Sequence, residues 1–109
     1  MADPIYLVQG DTGPQIKATV TRDSTAVDIS DAVTKMHFRK KFSEDLIVSL
    51  LNVSVTSDQE NGIAIFVFAE GDLDLDAGEY QGEVEVVFND GTRETIYELI
   101  DFTLRKDFA

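Results

Sequence analysis

Carboxylates alternate with leucines over residues 72–76, in the sequence Asp-Leu-Asp-Leu-Asp. Together with Gly78 and a further acid at Glu83, this alternation reproduces part of the spacing of a calcium-binding loop. The candidate metal ligands are therefore Asp72, Asp74 and Asp76. The position where such a loop requires glycine holds Ala77, however, and neither flank has the pattern of a helix. We favour the interpretation in which the two leucines enter the core and the aspartates face water.

Side chains for other chemistry are sparse, since the chain has one histidine and no cysteine. Thiol catalysis, Cys-based zinc sites and disulfides are thereby excluded, and the redox compartment stays open. His37 lies among basic residues, and no general-base partner for it can be inferred from the sequence. The many acids lack a predicted pocket that would make a glycosidase-type pair. We expect no catalytic residues, no cofactor and no enzymatic activity.

The charge of the chain limits its partners. Its 109 residues carry 21 acidic and 9 basic side chains, for a net charge of −12. This balance argues against binding nucleic acid and against an anionic membrane surface. No signal-peptide pattern and no membrane-spanning apolar run is present. We expect one soluble domain over residues 1–109, made in the cytoplasm.

Basic residues concentrate at one place, with four of the nine among residues 35–41. Residues 32–41 alternate, so that one strand face carries polar and basic side chains and the other carries Thr34, Met36 and Phe38. The favoured interpretation is a solvated face balanced by nearby acids. The alternative is a docking stripe for an acidic neighbour, including another copy of this chain. Its members are Lys35, His37, Arg39 and Lys41.

The pattern along the chain is one of short strands separated by turns. A short apolar strand is predicted at 5–8, half-buried strands at 15–22, 32–41 and 80–88, and a brief edge piece at 26–29. A last strand over 92–105 is predicted to carry a bulge between Leu99 and Ile100. Turn signals occupy 10–14, 23–25, 57–62 and 89–91. These features predict an all-β fold, an immunoglobulin-like antiparallel β-sandwich of seven to eight strands.

Two predicted strands have apolar residues on both faces, which a strand with one buried face does not need. Residues 46–55, LIVSLLNVSV, are apolar at both parities, so this strand either carries a bulge or is covered on both faces. Residues 63–68, IAIFVF, are apolar throughout, and their second face needs a cover from a loop of the same chain or from a neighbouring subunit. The interaction candidates on that face are Ile63, Ile65 and Val67.

A compact corner precedes the strand over residues 80–88. Tyr80 at its start is predicted to bury its ring while its hydroxyl bonds back to the backbone of the corner. The sequence over 76–82 resembles the D-x-G-x-Y-x-C motif of immunoglobulin-type domains, with Gly82 in place of the cysteine. Tyr80 and Gly82 are therefore the candidate structural residues of this corner.

The order of motifs is similar to that of one family. Gly10-Asp11-Thr12 precedes an alternating strand, and the further motifs lie at 27–33, 36–40, 61–62, 77–86 and 90–95. In this order they resemble the amino-terminal domain family of phage baseplate upper proteins. The resemblance implies an immunoglobulin-like module of tailed-phage virions, with no catalytic residues to transfer.

The function implied by this resemblance is that of a non-enzymatic virion structural protein. Such a protein would be made in the host bacterial cytoplasm and would serve as a baseplate, tail-associated, neck, head-fibre or capsid-decoration subunit. Its expected partners are other virion proteins and copies of itself, as a homo-oligomer within an assembly. The alternative is a carbohydrate- or host-surface-binding module, for which the plausible exposed rings are Tyr6, Phe42 and Tyr97.

Overall fold

The chain folds as an all-β sandwich in a computed structural model that describes residues 3–96 and 98–108. The predicted fold class is confirmed, although one strand pair is parallel. No helix among these residues is long and apolar enough to span a membrane. The elements are β1 Ile5–Val8, β2 Gln15–Thr19, β3 Thr21–Arg22, β4 Thr25–Ala26, β5 Ala32–Lys40, β6 Leu46–Leu51, α1 Thr56–Gln59, β7 Ile63–Val67, β8 Gly78–Phe88, β9 Arg93–Thr95 and β10 Ile100–Arg105.

Strand β8 is the central strand of the larger sheet, whose order is β1-β10-β8-β5-β6. One side of β8 pairs with β5 along the whole of that strand. Its other side pairs first with β10 and then with β9. Alternation along β8 buries Tyr80, Gly82, Val84 and Val86 and turns the intervening side chains outward.

The corner before β8 has the predicted tyrosine geometry. The Tyr80 ring is 2% exposed, and its hydroxyl donates a 2.6 Å hydrogen bond to the carbonyl of Asp76. A Cβ at Gly82 would lie 2.7 Å from the sulfur of Met36 and 3.1 Å from the ring of Phe102. The space at this position is thus already filled by side chains of the neighbouring strands, and a larger residue would overpack it.

The second layer is smaller and consists of β2 paired with β7, with the β3–β4 hairpin as a separate pair. Alternation buries Ile16 of β2 and Ala64 and Phe66 of β7 in the core. On the first sheet, the Phe38 ring contacts the rings of Phe68 and Phe102 edge-on, with centroids 5.5 and 5.2 Å apart. The contact with Phe68, which directly follows β7, joins the two layers, whereas Phe102 lies on β10 of the same sheet as Phe38.

Several predicted segments differ from the structure. The strand predicted over 92–105 is two strands, β9 at Arg93–Thr95 and β10 at Ile100–Arg105, rather than one strand with a one-residue bulge, and the edge piece predicted at 26–29 is β4 at Thr25–Ala26. The turn at 57–62 begins as the single-turn helix α1, although Gly62 has the expected positive φ of 75°. The strand predicted over 15–22 is divided at Val20, whose N–H bonds to the carbonyl of Gly62.

The strand predicted over 46–55 ends at Leu51, because the chain then leaves the larger sheet for the smaller one. The Val53 N–H donates to the Ile65 carbonyl at 2.9 Å, which places residue 53 beside β7. The side-chain oxygen of Asn52 accepts from the N–H of Ile65 at 2.8 Å and from that of Ser54 at 3.0 Å. A register shift between Phe38 and Arg39 supports the bulge alternative over the one with two covered faces.

Candidate functional site

The outer face of the larger sheet carries the predicted basic stripe. Lys35, His37 and Arg39 point away from the core, because the residues between them are at most 1% exposed. Lys35 lies opposite Glu85 and His37 lies opposite Glu83 on β8. The basic stripe therefore runs beside an acidic one, as the solvated-face interpretation requires. Lys41 lies beyond the end of β5, with its ammonium 5.4 Å from the centroid of the Phe42 ring.

His37 is held between two strands. Its Nδ1 lies 2.7 Å from the hydroxyl of Ser49 on β6, and its Nε2 lies 3.3 Å from a carboxylate oxygen of Glu85. Arg93 approaches the other oxygen of Glu85 at 3.7 Å. The sequence alone did not reveal these partners, because Ser49 and Glu85 come from strands whose register with β5 could not be inferred.

A concavity of about 320 Å³ lies beside His37 on this outer face. Its lining includes the carboxylates of Glu44, Glu83 and Glu85. A serine, histidine and glutamate in hydrogen-bonding distance resemble a nucleophilic array, but three carboxylates around it disfavour a developing oxyanion. The array is better suited to fixing the imidazole across three strands than to catalysis.

The apolar face of β7 is only partly covered. Ile63, Ile65 and Val67 are half-buried on the outer side of the smaller sheet, while the alternate residues enter the core. Val53 lies beside Ile65 and is itself 55% exposed. The segment after β6 thus lies beside β7 in the smaller sheet, and the outer face of β7 stays partly open.

A further apolar surface lies at β6, the edge strand. Leu46, Ile47 and Leu51 are 57%, 38% and 58% exposed. No residue from 46 to 57 is charged, in a chain of which 28% is charged. Within the residues that the structure describes, no strand pairs with the other side of β6. Edge strands are ordinarily protected by charges, by proline or by a cover, and this one has no charge and no proline.

The backbone groups at this edge follow from the ladder between β5 and β6. The Asn52 N–H donates to the Thr34 carbonyl, in register with the pairs Met36–Leu50 and Phe38–Val48. In an antiparallel ladder, the residues between such pairs direct their N–H and C=O groups to the other side. The polar backbone groups of Ser49 and Leu51 therefore point to the free edge, while Ile47 lies at the bulge, where the pairing shifts from Phe38–Val48 to Arg39–Leu46.

The candidate calcium ligands are not gathered into a site. Asp72 is half-buried and accepts the Ala69 N–H at 2.7 Å, whereas Asp74 and Asp76 are exposed. Leu73, between Asp72 and Asp74, is 1% exposed, as expected for a residue that enters the core. Among the described residues, no group of three or more histidine, cysteine, aspartate or glutamate side chains could hold a metal ion.

Comparison with known proteins supports the fold and no more. No protein-family model and no curated protein matches the chain. The structure is similar to that of CopC from Methylosinus trichosporium OB3b, at 12% sequence identity and a TM-score of 0.56, over 99% of this chain and 89% of that one. The soluble domain of PmoD from Methylocystis sp. ATCC 49242 (Rockwell) has the same identity and a TM-score of 0.49, over 92% and 77%. At such identity the likeness to CopC shows a shared β-sandwich.

The assignment to a tailed-phage virion is wrong, and so is the predicted location in a virion. The structure is similar to that of CopC, which is not a baseplate, tail, neck or capsid protein. The motif-level resemblance to baseplate upper proteins stays an untested prediction, since no family model matches.

The exposed rings named for the carbohydrate-binding alternative do not form one platform. Tyr6 lies on β1 and Phe42 follows β5, with β10 and β8 between those strands. Tyr97 lies outside the described residues.

Proposed function

We propose that the chain is a non-catalytic protein-binding module that accepts an added β-strand at the free edge of β6. The observation that carries this proposal is the uncharged edge strand with three exposed apolar side chains, Leu46, Ile47 and Leu51. An added strand would satisfy the outward N–H and C=O groups of Ser49 and Leu51 and would cover those side chains.

Strand addition uses features that a merely solvated surface would not combine. Backbone hydrogen bonds supply affinity, and alternate side chains supply specificity. An exposed apolar edge is otherwise an aggregation hazard, which a binding partner removes. The charge of −12 supports a protein partner rather than nucleic acid or an anionic membrane.

A synthetic peptide with the sequence of residues 44–56 serves as a test strand. On titration into the isotopically labelled protein, the largest amide shift changes are expected at Ser49 and Leu51. The substitution Leu51→Lys is expected to weaken binding at least tenfold, because the partner strand would have to desolvate the new charge.

The matched control is Val33→Lys. Val33 is 51% exposed and lies on the outer face of the larger sheet, as Leu51 does, but on β5 and away from the free edge. This variant is expected to bind the peptide as the wild type does. Equal binding by all three proteins, or shift changes centred on β7 or β1, would contradict strand addition at β6.

A further inference from the structure

We infer that the strand added at β6 is β6 of a second copy, antiparallel to the first, with the two-fold axis at Ser49. This inference rests on the proposed function and names the partner. The edge that it uses is the one described above, with outward backbone groups at Ser49 and Leu51.

The register follows from the side chains of the strand. Ser49 is the one polar residue of β6, so a two-fold axis there sets the two hydroxyls opposite each other and brings Leu51 opposite the bulge residue Ile47 of the other copy. Leu51 shares the outer face with Ser49, since they lie opposite Lys35 and His37. Leu46, which lies opposite Arg39 beyond the bulge, is on that face as well. On the inner face, Val48 meets Leu50. Apolar side chains thus meet apolar ones on both faces of the pair.

Charge also favours a second copy over an acidic partner strand. The edge is uncharged from residue 46 to residue 57. A partner strand with carboxylates along its length would have to desolvate them against leucine and isoleucine. The β6 strand of another copy brings no charge to this contact, and the ladder joins two larger sheets into one continuous sheet.

The outer face at the axis gains a polar centre in this arrangement. Ser49 already lies 2.7 Å from His37, which in turn contacts Glu85. The axis therefore brings two serine–histidine pairs together between the apolar contacts. Hydrogen bonds between hydroxyls at such a position fix a register more than they add affinity.

The absence of cysteine allows a direct test by cross-linking. In the Ser49→Cys variant, the two new thiols would face each other across the axis, within the separation that a disulfide spans. The control is Ser57→Cys, an exposed position in α1. Since His37 can activate a thiol at position 49, each cross-linking rate is divided by the rate at which that thiol reacts with a small disulfide reagent.

The normalised rate is expected to be at least tenfold higher for Ser49→Cys than for Ser57→Cys. Equal normalised rates would overturn the two-fold axis at Ser49. If the peptide of residues 44–56 still bound at β6 in that case, the proposed function would stand and only the second copy would be lost.

Sedimentation equilibrium provides a second test. Its main measurement uses the unmodified chain, so a folding defect of a variant cannot affect it. A monomer–dimer equilibrium is expected, weakened at least tenfold by Leu51→Lys and unchanged by Val33→Lys. Because two copies of charge −12 repel, added salt is expected to strengthen the dimer. An association that salt weakens would instead indicate docking through the basic stripe and would overturn the inference, as would a monomer at every concentration.

Discussion

Tyr80 anchors the corner through a ring and a hydroxyl with different roles. Its ring stacks on Phe38, with centroids 5.3 Å apart and planes 7° from parallel. Its hydroxyl donates to the Asp76 carbonyl, which ties the loop to the strand that follows. Burial, with a smaller contribution from the charge of Asp76, raises the pKa of Tyr80 above its ordinary value of 10.0.

The substitution Tyr80→Phe is expected to lower the free energy of unfolding by about 1 kcal/mol at neutral pH, through loss of one hydrogen bond. The raised pKa means that the unfolded chain releases this proton first as the pH rises. The tyrosine's contribution is therefore complete below about pH 10 and is lost at higher pH. Urea denaturation across this range should show the difference between wild type and variant shrinking. A difference that is zero at neutral pH would mean that the hydroxyl bond adds no stability.

Between the strands, the segment that follows β6 links the two layers. Asn52 does this with one side-chain oxygen, which takes the place of a backbone acceptor for Ile65 of β7 while also closing a turn at Ser54. The Ser54 hydroxyl adds a 2.9 Å bond to the Ile63 carbonyl. The position at which the chain changes sheets is thus defined by side-chain hydrogen bonds.

The substitution Asn52→Ala is expected to destabilise the fold by about 1–3 kcal/mol, because it removes the acceptor of two backbone N–H groups. Thermal or urea denaturation measures this loss. Asn52→Asp is the matched control, since a carboxylate keeps the acceptor, and it should recover most of the stability. Equal losses of stability in the two variants would show that the side-chain oxygen of residue 52 does not stabilise the change from one sheet to the other.

Alternation predicted the elements that it describes well and failed where side chains act in place of the backbone. The faces of β5 and β8 follow from period two, and the tyrosine corner follows from residues 76–82. The apolar residues over 46–55 occupy both odd and even positions, because this segment contains a bulge and then a change of sheet. The exposed edge in that run was missed for the same reason, although its freedom from charge was visible in the sequence. The partners of His37 depend on the strand register, which no local pattern specifies.

For the whole molecule, the sandwich and its charge have separate consequences. The likeness to CopC establishes the fold, but a fold of this kind does not by itself determine a function. The charge of −12 promotes solubility and opposes contact between copies. An uncharged edge such as β6 is then a place on the larger sheet where two such chains can meet at low electrostatic cost.

Residue-resolved amide hydrogen exchange, measured over a range of protein concentrations, reports directly on whether the β6 edge is paired. The amides of Val48 and Leu50 should be protected at every concentration, because they face β5. The amides of Ser49 and Leu51 should exchange rapidly in dilute solution and become protected as the concentration rises. Rapid exchange of those two amides at the highest concentration, with the fold intact, would contradict pairing of β6 with a second copy.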